Sequence, residues 1–379
     1  MAPLRRHAGS FEDILSLADV DRALTATGLR RPAFRVVRDG DVLPPATYTR
    51  RARTGGELID DLVDTGRVLD LFADGATIVL QGLQRWWEPT AHFCRDLELA
   101  LGHAVQANAY LTPAGAAGLA PHHDTHDVFV LQVAGSKHWV VREPALDSPL
   151  ARQRSEHDVA AAQPVLFEAE MAPGDALYLP RGVIHSAAAQ AGVSLHLTVG
   201  ILVTTAHDVL AEIVELAGDD VVFRRSLPAG WPYDDDLAAG AVKATVADLA
   251  DWLGRVEPGE VARRLRDRFV AGRTPFLEGQ LLEIAALDAV DDATVVRRRP
   301  GTVAALAVDG APPLLRLTLG DRRVDMPAAL EPAVRRLLDG APHRVADLAD
   351  LLDQPSRAVL ARRLIREGAL RSGPRAGDG

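Results

Sequence analysis

From residue 105 to residue 203 the apolar positions come in short runs separated by Gly and Pro turns. VQANAYLT (105–112), DVFVLQV (127–133), KHWVVRE (137–143), PVLFEAEM (164–171), DALYLP (175–180), VIHSAAA (183–189) and SLHLTVGILV (194–203) each fit one strand. Repeated short strands with turn signals predict a sandwich or barrel. A jelly roll, the double-stranded β-helix, closes about eight of them most economically. Ahead of them PTAHFCRDLELAL (89–101) has helical spacing. After residue 205 the period changes. HDVLAEIVELAG, VADLADWLGRV and VARRLRDRFVAG place apolar residues one helical turn apart, as a packing or oligomerisation unit would. Beyond the basic patch RRRPG (297–301), LLRLTLG and RRVDMP read as strands. PAALEPAVRRLLDG, VADLADLLD and SRAVLARRLIREGAL read as three helices, the last ending near a Gly. The expected fold class is therefore α+β: a jelly-roll catalytic domain over 1–205, a helical dimerisation domain over 206–285, and a winged-helix-like domain over 286–379 with RSGPRAGDG as a disordered tail.

Composition narrows the function. With 379 residues, several domains are expected. No apolar run reaches the roughly 20 residues that span a bilayer, so no membrane partner is expected. The start lacks the apolar core of a signal peptide. The single cysteine, Cys94, allows no internal disulfide and no Cys-rich zinc site, and a reducing, cytoplasmic setting follows. The net charge of −10 argues against a whole-protein nucleic-acid binder and suits a basic partner. The fifteen arginines and twelve acids from residue 290 onward are too weak an excess for a DNA-binding face. Lysine is rare: of 42 Lys and Arg residues only Lys137 and Lys243 are lysine. A lysine kept against that background is a candidate for a role that arginine cannot fill.

Four of the twelve histidines lie between Pro121 and Trp139, in PHHDTHDVFVLQVAGSKHW. On a strand, residues i and i+2 share a face. His122 and Asp124 then project together and His123 projects oppositely. A third ligand is offered by APGDALYLPRGVIHSA, where turn, strand and turn deliver His185. Two histidines and one carboxylate with open positions is the donor set of non-haem Fe(II) oxygenases. His126 is at i+4 from His122 and reads as a substrate-side or structural residue. His196 alternates with Ser194 and Thr198 and could face the same pocket or the core. His138 alternates away from Lys137 and should point outward.

These residues carry a family resemblance. Asn108-Ala-Tyr110-Leu-Thr-Pro, Pro121-His122-x-Asp124, Asp127-Val-Phe-Val-Leu-Gln, Gly135-Ser-Lys137-His-Trp139 and Pro173-Gly-Asp-x-Leu-Tyr-Leu-Pro-Arg-Gly-x-Ile-His185 resemble the JmjC-type ribosomal oxygenases, the cupin-4 family. The resemblance implies an Fe(II)- and 2-oxoglutarate-dependent dioxygenase that consumes O2 and hydroxylates a His or Arg side chain of a ribosomal protein. It implies iron on His122, Asp124 and His185, the distal carboxylate of 2-oxoglutarate on Lys137, and Asn108 and Tyr110 beside cosubstrate and substrate. It also implies a homodimer. Two other readings fit the same residues: a tailoring hydroxylase of a peptide or natural product, and a metal-binding regulator that uses the winged helix on DNA.

Overall fold

The computed structural model describes residues 4–5, 9–116, 118–154 and 156–373, and the tail beyond Gly373 lies outside the described residues. The chain divides into two compact units, Met1–Val203 and Thr204–Gly379. In the first, nine strands matter for the site: β1 (Phe34–Arg38), β2 (Thr77–Leu80), β3 (Ala104–Thr112), β4 (Asp127–Ala134), β5 (Lys137–Arg142), β6 (Val165–Met171), β7 (Asp175–Leu179), β8 (Ile184–Ala189) and β9 (Ser194–Leu202). Every strand expected between 105 and 203 is present, with ends shifted by a residue at most. The central run of the larger sheet is β7-β4-β9-β3-β2-β1, and the smaller sheet is β6-β5-β8. The pairings among these strands are antiparallel.

Alternation along the strands creates two cores. Phe34, Val36, Ile78, Leu80, Ala107 and Ala109 point from the larger sheet into one cluster, joined by Leu83 and Cys94 of the segment around the helix Glu88–Leu101. That helix starts with Pro89 in its first turn and ends on Gly102, whose φ of 68° is the left-handed cap. The other faces enclose the barrel interior, where Val128, Val130, Trp139, Val141, Leu177 and Leu179 pack together. The strands β1 and β2 lie in the first hundred residues, where the sequence pattern foretold only the helix at 89–101.

In the second unit the helices Ala206–Ala217 and Pro258–Ala271 match their expected segments. The middle helix begins earlier than its apolar pattern, at Asp235, because Asp234 caps it by accepting from the Leu237 amide at 2.9 Å. Further on, PAALEPAVRRLLDG holds only one short helix, Glu331–Leu337, after a single 3-10 turn. Pro332 has no amide hydrogen and is accommodated in a first turn, so it breaks the longer helix. VADLADLLD is one 3-10 turn, Val345–Leu348, instead of a helix. Asp353 and Pro355 open a fresh helix, Gln354–Arg366, directly after it. Strands Val295–Arg298 and Ala304–Asp309 accompany the two that the sequence foretold.

Candidate active site

His122 reaches the barrel mouth through an isolated antiparallel bridge to His185. The His122 amide donates to the His185 carbonyl at 3.2 Å, and the His185 amide returns a bond of 2.9 Å. Residues 123–126 are not a regular strand. Asp124 is held instead by its carbonyl, which accepts from the Gly182 amide at 3.0 Å. Gly182 has φ of +89°, and a Cβ there would lie 2.6 Å from the Leu146 carbonyl oxygen, so only glycine lets this turn close on Asp124. The sidedness expected of a strand is thus reached by a bridge and a glycine turn. His123 points elsewhere, with its Nε2 3.0 Å from the Gln153 carbonyl oxygen.

The side chains of His122, Asp124 and His185 converge, each offering one ligand atom within 4.8 Å of the others. His122 Nδ1 lies 2.8 Å from the Ala120 carbonyl oxygen and His185 Nδ1 lies 3.1 Å from that of Val183. Each Nδ1 can therefore donate its hydrogen to a backbone oxygen and leave Nε2 bare. This is the outer-shell arrangement that orients imidazole ligands. Burial, then the neighbouring His122, lowers the His185 pKa to about 4, so the ring is neutral and able to ligate. The residues present fit a divalent ion.

Lys137 lies deeper, at 1% exposure. Its ammonium donates to Thr112 Oγ1 at 3.0 Å and lies 3.2 Å from His196 Nδ1. Among the described residues it has no carboxylate partner. Burial lowers its pKa to about 7. Gly118 roofs this spot, where a Cβ would come within 3.1 Å of the Ala187 carbonyl oxygen and 3.9 Å of Lys137 Nζ. His196 does face the cavity. It stacks on Tyr110 with ring centroids 4.9 Å apart and meets Trp139 edge-on at 5.4 Å. Burial and then Lys137 push its pKa well below the usual histidine range, so its neutral Nδ1 can accept from the lysine. The Trp139 indole N–H is buried with no acceptor among the described residues.

Tyr110 lines the cavity with the three metal-type ligands and Lys137. Burial raises its phenol pKa most, while Arg35 opposes the rise through its charge and a hydrogen bond, and Asp124 adds to it. Arg35 escaped the sequence reading, as did Thr112. Its only signal was a charge inside the apolar run AFRVV. Asn108 sits on the same strand face as Tyr110 but outside the cavity lining, with its Oδ1 accepting from the Gly82 amide at 3.0 Å. His126 lies 2.9 Å from Gln106 Nε2 and packs over Gly200. His138 points outward to Glu168, as its alternation requires.

Residues 83–209 match the JmjC domain family. Within that class the likeness is to the ribosomal oxygenases. The chain is 37% identical over 222 residues to ribosomal oxygenase 2 of Bos taurus, covering 56% of this chain and 47% of that protein. It is 33% identical over 233 residues to ribosomal oxygenase 1 of Homo sapiens, covering 58% and 34%. A protein of Dictyostelium discoideum described as bifunctional lysine-specific demethylase and histidyl-hydroxylase NO66 is 29% identical over 250 residues, covering 61% and 48%. The chain spans about half or less of the length of these relatives. Its fold is that of Escherichia coli YcfD, with a TM-score of 0.58 at 16% identity over 98% of this chain and 94% of that one. Another YcfD structure, a ribosomal oxygenase in complex with cobalt and 2-oxoglutarate, gives 0.53 at 16% identity over 95% and 91%.

Proposed function

We propose that this chain is an Fe(II)- and 2-oxoglutarate-dependent oxygenase that hydroxylates a histidine or arginine side chain of a ribosomal protein. The observation that carries the reading is the cavity itself: two imidazole Nε2 atoms and one carboxylate on one wall, and a buried lysine without a counter-charge on another. Relatives named ribosomal oxygenase and histidyl-hydroxylase support it. When bound, ferrous iron and 2-oxoglutarate together supply the oxidising chemistry that spends O2 and puts a hydroxyl on an unactivated carbon. His122, Asp124 and His185 would hold the ion. Lys137, steadied by Thr112 and His196, meets the distal carboxylate of the cosubstrate. Trp139, Tyr110 and His196 wall the space off from water. No side chain needs to act as a general base.

The remainder of the chain supports an assembly reading. The helix Asp235–Leu253 has no buried residue, and Val242 and Val246 are adjacent and exposed on it. Leu210 and Val214 form a similar exposed pair on Ala206–Ala217. One-turn apolar pairs of this kind suit a homodimer contact. The short helices and strands after residue 290 suit a winged-helix-like module. A DNA-binding role for it is disfavoured because arginines of the helix Gln354–Arg366 are engaged internally: Arg357 with Asp292, Arg362 with the Val290 carbonyl, and Arg363 with Glu367. No helix of the described residues is long and apolar enough to cross a membrane. The test is direct. Iron-loaded protein with 2-oxoglutarate and ribosomal proteins should form succinate and add 16 Da to one side chain. Failure to bind 2-oxoglutarate at all would remove the reading.

A further inference from the structure

In the second unit the strands Ala304–Asp309, Leu314–Leu319 and Arg322–Pro327 form one sheet, with two edges of different character. The edge Arg322–Pro327 reads RRVDMP, and its charges and final proline are devices that keep a strand from pairing with a foreign one. The opposite edge, Ala304–Asp309, reads AALAVD and has no such device before its last residue. It pairs with Leu314–Leu319 in unbroken register over all six residues, so no bulge bends it away. In an antiparallel pair, alternate residues turn their N–H and C=O away from the partner strand. Among the described residues no loop or helix backbone group bonds to that free side.

This edge lies in a groove of ≈ 440 Å³. Four consecutive residues, Ala304 to Ala307, line it. Side chains of a strand alternate between faces, so a groove that meets all four follows the edge itself. Alanine is a poor strand former, and three of the four are alanine. They add little to the sheet and leave room for a second backbone. Arg263, Arg266, Arg298 and Arg335 stand around the groove against the one carboxylate of Asp267. Arg263 is bound to Glu260 and Asp267, and Arg335 to Glu331. Arg298 donates to the Thr302 carbonyl, and Arg266 meets no acid among the described residues. Two cations of the groove therefore lack a carboxylate, in a chain whose net charge is −10.

That charge selects the occupant. A second copy adding along the same edge would bring the same four arginines against these. The phosphates of a nucleic acid would neutralise them but only accept hydrogen bonds, leaving the outward carbonyls without donors. An extended peptide supplies both donors and acceptors, and acidic side chains supply the missing charge.

We propose that the edge Ala304–Asp309 is a docking site for an extended acidic segment of a partner protein, which adds to the sheet as a fourth strand and sets its carboxylates on Arg266 and Arg298. The groove shares no residue with the barrel cavity, and the proposal does not depend on the oxygenase reading.

The test uses the full chain and a fluorescein-labelled peptide that alternates glutamate with valine and threonine, followed by fluorescence anisotropy. The peptide should bind, and more weakly as salt rises. The same peptide with lysine in place of glutamate should not bind. A form N-methylated at every residue keeps each charge but has no amide donor, and its affinity for the wild-type protein should fall at least about tenfold. Arg266→Glu combined with Arg298→Glu should weaken the unmodified peptide at least about fivefold, because two attractions become repulsions. Circular dichroism checks that this variant is folded, and Arg266→Ala, at an exposed position, should weaken binding in the same direction. No binding of the glutamate peptide, equal affinity for the lysine peptide, or undiminished affinity for the N-methylated form would overturn the proposal. Tighter binding of an oligothymidylate of the same charge would overturn it too, and assign the groove to nucleic acid.

Discussion

Buried cations are handled in opposite ways at one place in each unit. In the second unit one of them is satisfied from within. Arg299, 5% exposed, gives its guanidinium hydrogens to the carbonyls of Gly368 and Glu278 and to Gln280 Oε1. Glu212, 3% exposed, is met by Arg268 and Arg264. In the barrel, Lys137 has a hydroxyl and a neutral imidazole but no anion, and Arg35 and Trp139 keep donors without acceptors. A low-polarity interior tolerates an ion only when it is paired and hydrogen-bonded. Paired burial marks architecture. At Lys137 and Trp139, both of which line the cavity, unpaired burial suits a partner that arrives with the cosubstrate.

The largest break of this contrast comes from the convergent ligands. Asp124→Ala or His185→Ala should abolish iron retention and succinate formation, whereas His123→Ala should leave both, since His123 contacts Gln153 instead. Metal content after gel filtration checks it. Iron retained at full occupancy in Asp124→Ala would remove Asp124 from the donor set.

Stability should respond oppositely in the two units. Arg299→Ala leaves the Gly368 and Glu278 carbonyls and Gln280 Oε1 without their donor and should cost about 1–3 kcal/mol, the range for stranding a buried polar group. Lys137→Met removes a cation held without an anion, so the ligand-free barrel should keep or gain stability. Urea unfolding of each variant, followed by probes within the affected unit, tests the pair. A barrel strongly weakened by Lys137→Met would mean that Thr112 and His196 already satisfy the ammonium.

The same contrast explains what the sequence could convey. Strands from 105 to 203 were legible because one face must be apolar and their turns use Gly and Pro. The ligand triplet was legible because His-x-Asp and a turn-delivered His185 are local patterns. Lys137 stood out only because this chain otherwise writes its cations as arginine. Arg35 and Thr112 were not legible, because nothing local says that β1 and β2 extend the sheet to Tyr110. That is decided by long-range pairing. The expected helix at 345–353 failed for a complementary reason. Its apolar spacing is real, and Val345 and Leu348 are fully buried, but Asp353 and Pro355 restart the helix before a second turn can form.

Next in size is the affinity for the cosubstrate. Lys137→Ala should weaken 2-oxoglutarate binding by about 10- to 150-fold, corresponding to roughly 1.5–3 kcal/mol for a hydrogen bond to a charged group. Iron content should not change. Lys137→Arg should also be impaired, because the planar guanidinium does not fit the space between Thr112, His196 and the Gly118 roof. Calorimetric titration of manganese-loaded protein measures both. An unchanged affinity in Lys137→Ala would assign the carboxylate to another donor.

The smallest expected effect is the most diagnostic of unpaired burial. In the ligand-free protein the Lys137 pKa is lowered to about 7 by burial. The other ionisable group in direct contact with it is His196, whose pKa is pushed well below the usual range, so His196 stays neutral near pH 7. A bound dianion favours the ammonium form, so binding raises the lysine pKa and takes up a proton wherever the free lysine is neutral. Below pH 7 the ammonium is already present and affinity should be level. Above pH 7 affinity should fall, by about fivefold from pH 7 to 8 and then approaching tenfold per unit, as the protonated fraction of a group with that pKa declines. Calorimetry at pH 8 in two buffers of different ionisation enthalpy should register close to one proton taken up per 2-oxoglutarate. Lys137→Arg, whose guanidinium keeps its charge, should bind weakly but with a flat profile over the same range. A flat wild-type profile from pH 6 to 9 would mean that the ammonium is already neutralised before the cosubstrate arrives, and the contrast between the two units would fail at the residue that carries it most directly.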